Sequence, residues 1–85
     1  MDTYTIVYHP YVTEKAMNNM EKHNALEFVV DSKATKLQIK IAIEQMFDAK
    51  VKNITTRIRK DGKHAIVTFM PDFNAEDIGM RIGVF

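Results

Sequence analysis

The stretch KATKLQIKIAIEQMF, residues 33–47, has the clearest helical pattern in the sequence. Its apolar residues recur with the spacing of one helix face: Ile39, Ala42, Ile43, Met46 and Phe47. Thr35 and Gln38 have the spacing of a capping box, in which each side chain bonds the other residue's backbone N–H. The stretch therefore predicts a helix with one buried face.

Leu37 and Ile41 on the same helix do not belong to that buried face. At about 100° per residue, they project roughly opposite to Ile39 and Met46. Two alternatives are open: another helix of the fold covers the pair, or the pair is an exposed contact for a neighbouring protein. The solvent exposure of the two side chains decides between them.

A β-hairpin is predicted after this helix. VKNITTRIRK (51–60) and HAIVTFM (64–70) flank Asp61-Gly62, a dipeptide typical of two-residue type I′ turns. That turn places Lys60 opposite Lys63, and Arg59 opposite His64. One face of the hairpin is then the core face, with Ile54, Thr56, Ile58, Ala65, Val67 and Phe69. The other face is basic and carries few acids, with Thr55, Arg57, Arg59, His64, Ile66 and Thr68.

The first third of the chain predicts a strand, a helix and a second strand. TYTIVY (3–8) is β-branched and aromatic, and Pro10 stops it. A helix follows over about 13–22, with Ala16, Met17 and Met20 on one face. ALEFVVD (25–31) then predicts a strand with Leu26, Phe28 and Val30 on one side.

A short last helix begins at Asn74, a suitable N-cap, and runs to about Gly83. The predicted class is α+β: a small, mostly antiparallel four-stranded sheet with packed helices, in the order β-α-β-α-β-β-α. With 85 residues and no linker or repeat, the sequence predicts one domain over 1–85. No export or membrane segment is visible, so we expect no membrane insertion.

Catalytic and metal chemistry find little support in the residues. The chain has no cysteine, which excludes disulfides and thiolate sites. His9, His23 and His64 fall on different predicted elements, and no phosphate-binding glycine loop is present. We therefore expect no enzyme activity, no metal and no cofactor.

Charge is unevenly distributed, although the net charge is only +1. Residues 33–63 hold nine Lys or Arg against three acids, while both flanking segments are acidic. Such rows of cations are most often a solvated face. The alternative is a surface for RNA phosphates, since arginines and lysines make charge-assisted hydrogen bonds to them. No aromatic stacking motif marks the strands, which favours backbone contacts to folded RNA over recognition of bases.

Several segments, in order along the chain, resemble the universal L-twenty-three family of large-subunit ribosomal proteins. They are HPYVTEKAM (9–17), NALEFVV (24–30), KATKLQIKIAIEQMF (33–47), VKNITT (51–56) and KHAIVTF (63–69). The combination of P-x-x-(S/T)-E-K with A-T-K-x-x-I-K-x-A-(I/V)-x-x-x-F is specific, and the resemblance covers nearly the whole chain.

The resemblance implies a structural, RNA-binding constituent of the large ribosomal subunit at the rim of the polypeptide exit tunnel. The family's RNA-contacting segments correspond here to Pro10, Thr13, Lys15, Ala34, Thr35, Lys36, Asn53, Thr55 and Thr56. Proximity and charge add His9, Lys33, Lys40, Arg57, Arg59, Lys60, Lys63 and His64 to the expected contacts.

The resemblance also implies protein partners. Glu14 stands where the family has an exposed docking glutamate for factors that meet the emerging chain, such as the signal recognition particle and the translocon. Neighbouring ribosomal proteins at the tunnel exit, among them L-twenty-nine, are further expected partners, and Leu37 and Ile41 are a candidate contact.

One departure concerns the hairpin. Bacterial members carry a long loop there, whereas Lys60-Asp61-Gly62-Lys63 closes the turn tightly, which indicates the archaeal and eukaryotic type.

The alternative function is a small ligand-binding or acyl-phosphate hydrolysing domain. That function needs an arginine and an asparagine converging on a phosphate, and no loop in the sequence is built for it.

Overall fold

The computed structural model describes residues 3–82 and contains one antiparallel sheet with helices. Its strands are β1 (Val7–Pro10), β2 (Ala25–Val30), β3 (Val51–Arg59) and β4 (Gly62–Phe69), in the spatial order β1-β2-β4-β3. Its helices are α1 (Thr3–Ile6), α2 (Glu14–His23), α3 (Lys36–Phe47) and α4 (Ala75–Arg81). The predicted α+β class, the antiparallel sheet and the order β-α-β-α-β-β-α are confirmed, with the one-turn α1 added in front. Within 3–82, no helix has the length and hydropathy needed to cross a bilayer.

Helix α3 forms as its sequence predicts. Thr35 Oγ1 accepts the Gln38 N–H at 3.1 Å, and Gln38 Oε1 accepts the Thr35 N–H at 2.9 Å, which completes the capping box. The helix ends at Asp48, in the left-handed conformation with φ 51°. Its buried residues are Ile39, Ala42, Ile43 and Phe47.

The hydrophobic core lies between α3 and one face of the sheet. This face contributes Leu26, Phe28, Val30, Ala65, Val67 and Phe69, all buried. Ile78 of α4 and Met20 of α2 join the same cluster, and the rings of Phe28 and Phe47 stack at 5.7 Å. Since each fully buried large apolar side chain contributes about 1.5–3 kcal/mol, this layer is the main source of stability.

The predicted first strand is wrong over its first four residues. Residues 3–6 are helical, the strand begins at Val7, and Pro10 is its last residue instead of lying beyond its end. Ile6 is buried in the core, and its carbonyl accepts the Asp31 N–H at 2.8 Å. Packing therefore overrides the strand propensity of this segment. Pro10 is tolerated because β1 is an edge strand.

The predicted register of the hairpin is also wrong, by two residues. Lys60 and Asp61 occupy the turn, Arg59 pairs with Gly62, and Arg57 lies opposite His64. A type I′ turn needs a positive φ at both central residues, whereas the positive φ of this turn falls on Gly62 at 128°. Because a shift of two residues preserves the alternation of side chains, the two predicted faces survive.

Ile58 is an exception on the predicted core face. It lies opposite Lys63 near the end of an edge strand and is 75 % exposed. The prediction that it is a core residue is wrong, because its side chain is mostly in solvent.

The caps of the other helices follow the sequence. Thr13 Oγ1 accepts the Ala16 N–H at 3.0 Å at the start of α2, and Asn74 accepts from Glu76 and Asp77 at the start of α4. On α2, Ala16 and Met20 are buried, whereas Met17 is exposed. The predicted end of the last helix, Gly83, lies outside the described residues.

Candidate nucleic-acid interface

Three segments far apart in sequence meet at the turn end of the hairpin, residues 59–64, which we call the hairpin end. The segment after β1 reaches it through Tyr11, whose ring lies edge-on to the His64 ring with centroids 4.5 Å apart. The segment before α3 reaches it through Ala34, whose carbonyl accepts from Lys63 Nζ at 2.7 Å. Because side chains alternate along β4, Lys63 lies on the core side and His64 on the opposite side, so the two family motifs contact the hairpin end from its two faces.

Exposed cations are present on the elements whose segments meet here. They are Lys15 on α2, Lys33 before α3, Lys36 and Lys40 on α3, Arg57 on β3 and Lys60 in the turn. In the described part of the chain, ion pairs engage only Arg59 and His64 among the basic residues. The charges of these exposed cations are thus not neutralised internally, which is the state in which they attract phosphate.

Polar residues of the predicted interface lie on β1 and β3 and next to the starts of α2 and α3. Asn53 and Thr55 are exposed on β3, Thr56 is half-buried, and Thr35 is exposed at the start of α3. Pro10 and Thr13 are half-buried beside the exposed His9, whose Nδ1 lies 3.0 Å from the Pro10 carbonyl oxygen. The Thr13 hydroxyl already accepts a helix N–H, which leaves its O–H as a donor and one further acceptor position.

Two predicted contact residues are buried. The His64 side chain is fully buried, and Ala34 is buried with its carbonyl occupied by Lys63. His64 is therefore removed from direct contact with a partner, a correction to its predicted role. Lys63 itself is half-buried, and its ammonium is partly committed to the bond with Ala34.

The face predicted to be basic also contains two acids that compensate it. Glu27 Oε2 lies 2.7 Å from His64 Nδ1 and 3.7 Å from Arg59 Nε, while Asp61 Oδ1 lies 2.8 Å from His64 Nε2. An ionised carboxylate can only accept hydrogen bonds. Both contacts of the ring are therefore hydrogen bonds in two cases: both ring nitrogens carry a proton, or one ring nitrogen and the carboxyl opposite the other nitrogen each carry one. Glu27 is buried on β2, where a charge needs such partners.

Sequence reasoning missed Glu27 as part of this site, although one signal was present. A single acid inside the apolar strand ALEFVV indicates a buried partner, but its identity depends on the pairing of β2 with β4, which places His64 opposite Val29. In that cluster, the hydrogen bond from His64 lowers the pKa of the Asp61 carboxyl below its ordinary value. Over the described residues, no group of three His, Asp or Glu side chains is arranged to hold a metal ion.

Exposed apolar residues occur at two further places, on α3 and at the start of α2. Leu37 and Ile41 are 66 % and 48 % exposed, so the alternative in which another helix covers them is wrong for the part of the chain described. Glu14 is exposed at the start of α2, and the exposed Val12 and Met17 flank it in sequence. These two apolar residues were not singled out from the sequence; their spacing from Glu14 was the available signal.

The comparisons with known proteins all give the same family. The chain matches the model of the family described as Ribosomal protein L23 over residues 5–76. It is 50 % identical over 78 residues to the large ribosomal subunit protein uL23 of Natronomonas pharaonis, covering 91 % of this chain and 95 % of that protein. The corresponding protein of Picrophilus torridus is 49 % identical over 76 residues, covering 89 % and 93 %. That of Haloarcula marismortui is 40 % identical over 84 residues, covering 98 % and 99 %.

Proposed function

Because this chain belongs to the Ribosomal protein L23 family of large-subunit ribosomal proteins, which are not enzymes, we propose that it binds large-subunit ribosomal RNA beside the polypeptide exit tunnel. On this proposal it is a cytoplasmic component of the ribosome. It fixes RNA segments to one another through its own rigid fold and contributes to the platform where factors meet the nascent chain.

The single observation that carries this proposal is the convergence at the hairpin end. Tyr11 and Ala34 bring the segments before α2 and α3 against residues 59–64. Three separate segments that meet at one end of the fold suit a folded RNA, whose phosphates lie on several strands at once. The exposed cations on the same elements have no internal ion pair among residues 3–82, so phosphate contact costs no existing salt bridge.

The chemistry expected of this surface is contact with the RNA backbone. Lys15, Lys36 and Arg57 supply charge-assisted hydrogen bonds to phosphate, and the hydroxyl of Thr55 and amide of Asn53 suit phosphate or ribose oxygens. Tyr11 is engaged with His64 and Arg59, which leaves no open aromatic platform for stacking bases at the hairpin end. Binding therefore depends on the shape of the RNA and on salt concentration.

The platform role rests on α2 and α3. Glu14 offers an exposed carboxylate beside the exposed Val12 and Met17, a combination that suits a basic, partly apolar segment of a factor such as the signal recognition particle or the translocon. Leu37 and Ile41 provide an apolar contact for a ribosomal neighbour such as L-twenty-nine.

The test is cosedimentation of the tagged chain with large ribosomal subunits at high magnesium concentration, followed by binding to transcribed large-subunit RNA. We expect the chain in the large-subunit fraction, and an affinity for the RNA that falls steeply as salt increases. Recovery only as a free protein with a bound small molecule would instead support the ligand-binding alternative.

A further inference from the structure

The Arg59 guanidinium lies between a carboxylate and an aromatic ring. Its Nε is 3.7 Å from Glu27 Oε2, and its Cζ is 5.8 Å from the centre of the Tyr11 ring. Nε is the one buried side-chain nitrogen or oxygen without a hydrogen bond among the residues described. The terminal nitrogens are not buried in this way, and the side chain is 34 % exposed. The guanidinium thus has an inner edge toward Glu27 and an outer edge toward solvent.

Glu27 is itself held in place from two directions. Its side chain contacts the fully buried His64 ring at 2.7 Å, and its backbone carbonyl accepts the Tyr11 N–H at 2.9 Å. The far side of the His64 ring contacts Asp61 in the turn at 2.8 Å. A chain of short contacts therefore runs from the middle of β2 to the turn beside Arg59.

Simple electrostatics gives Glu27 no favourable role at an RNA surface. A carboxylate close to Arg59 partly neutralises it and repels phosphate. A free arginine, however, loses much side-chain entropy when it binds, and one that is already oriented loses less. The benefit of orientation and the cost of neutralisation have opposite signs, so binding measurements can separate them.

We propose that Glu27, acting with His64, is a positioning residue that holds the outer edge of the Arg59 guanidinium toward a phosphate of the bound RNA. This inference rests on the proposed RNA-binding function. Glu27 and His64 do not touch the RNA; Asp61 ties the turn to the same buried ring, and Tyr11 forms the opposite wall for Arg59.

The central experiment is Glu27→Gln in the full chain, measured by filter binding to transcribed large-subunit RNA folded with Mg²⁺. Glutamine keeps the size and an oxygen acceptor for His64 but loses the charge that holds Arg59. The substitution makes the protein more positive, so electrostatics alone predicts tighter binding. Positioning predicts weaker binding, by about threefold to tenfold, the scale of one oriented charged contact. The matched control is Glu76→Gln on α4, an exposed acid that undergoes the same change of charge.

The double variant assigns the effect to Arg59. In an Arg59→Ala background, Glu27→Gln should weaken RNA binding no further. In the wild-type background, the loss of RNA affinity caused by Glu27→Gln should be no larger than the loss caused by Arg59→Ala. Unchanged or tighter binding of Glu27→Gln would overturn the inference. Equal weakening with and without Arg59 would overturn it too, because it would indicate a general loss of structure.

A further variant leaves the buried pair intact and does not depend on whether Glu27→Gln folds. Arg59→Lys keeps the charge but lacks the planar group held against Glu27 and Tyr11, so we expect it to bind nearly as weakly as Arg59→Ala. Wild-type affinity of Arg59→Lys would show that only charge matters and overturn positioning. The proposed function fails separately if Lys36→Ala and Arg57→Ala also leave RNA affinity unchanged.

Discussion

The side-chain nitrogen of Asn24 donates to the carbonyl oxygen of Phe73 at 2.8 Å, across 49 residues of sequence. Its Oδ1 accepts the Ala75 N–H at 2.8 Å, and its nitrogen also lies 3.2 Å from the Phe69 carbonyl oxygen. Asn24 ends α2 with φ 54°. One residue therefore terminates a helix and fastens the end of β4 to the start of α4.

We expect Asn24→Gly to destabilise the protein by about 1–3 kcal/mol, because it leaves partly buried backbone groups without their partner. Glycine accepts the left-handed conformation, so the loss reports the hydrogen bonds alone. Asp48→Gly is the matched control: Asp48 has φ 51° at the end of α3, and its side chain makes no hydrogen bond within the described residues. Urea unfolding measures both, and equal stabilities of the two variants would contradict the assigned role of Asn24.

Acid should remove the stabilisation that Asp61 supplies. The hydrogen bond from His64 lowers the pKa of the folded Asp61 carboxyl below the ordinary value of 3.8. Its contribution is therefore complete above that value and lost as the pH falls through the lower, folded pKa. Urea midpoints should show wild type more stable than Asp61→Asn at neutral pH, with the difference shrinking below about pH 4. A difference that grows on acidification would contradict this linkage.

Neutralising single cations on β3 and on α3 should weaken RNA binding without changing stability. Lys36→Ala and Arg57→Ala each remove an exposed, unpaired charge from the proposed surface. Each should reduce the dependence of log affinity on log salt by about one. Lys22→Ala, in the last turn of α2, is the control, because it makes the same change of charge at a residue outside the proposed interface. An equal effect of all three substitutions would show that net charge, and not this surface, determines affinity.

Glu14→Ala should separate factor docking from assembly. The carboxylate stabilises the start of α2 by about 0.3–1 kcal/mol at most, so the fold persists. We expect weaker binding of the signal recognition particle to ribosomes that carry the variant, with normal incorporation into large subunits. Glu21→Ala, an exposed acid on the same helix, serves as the control. Loss of incorporation together with docking would contradict the assignment of Glu14 to the visiting factor.

Local signals made much of the fold predictable. The capping box of Thr35 and Gln38 and the apolar face from Ile39 to Phe47 are determined within one helix, and both are observed. The face assignment of the hairpin also followed, because alternation is a local property of strands. The antiparallel α+β class came from the order of such elements.

Features that depend on distant contacts were not predictable from local sequence. Residues 3–6 favour a strand by composition, but they form a helical turn whose Ile6 is buried in the core. The Asp61-Gly62 pair is compatible with more than one turn. In the turn observed, Gly62 has the positive φ, and the register differs by two residues from the predicted one. The contact between Glu27 and His64 joins residues 37 positions apart, and therefore no local pattern revealed that this face contains its own acids.

Strand β3 lies at the edge of the sheet and pairs on one side only, with β4. Its outer backbone groups and the exposed Ile58 form a template on which a second copy of the chain would add a strand. Lys52 and Arg57 place like charges along that edge, and their repulsion keeps free copies apart. Arg57, which we propose contacts RNA, thus also has a role in the free protein, and we expect its removal to promote aggregation before the ribosome incorporates the chain.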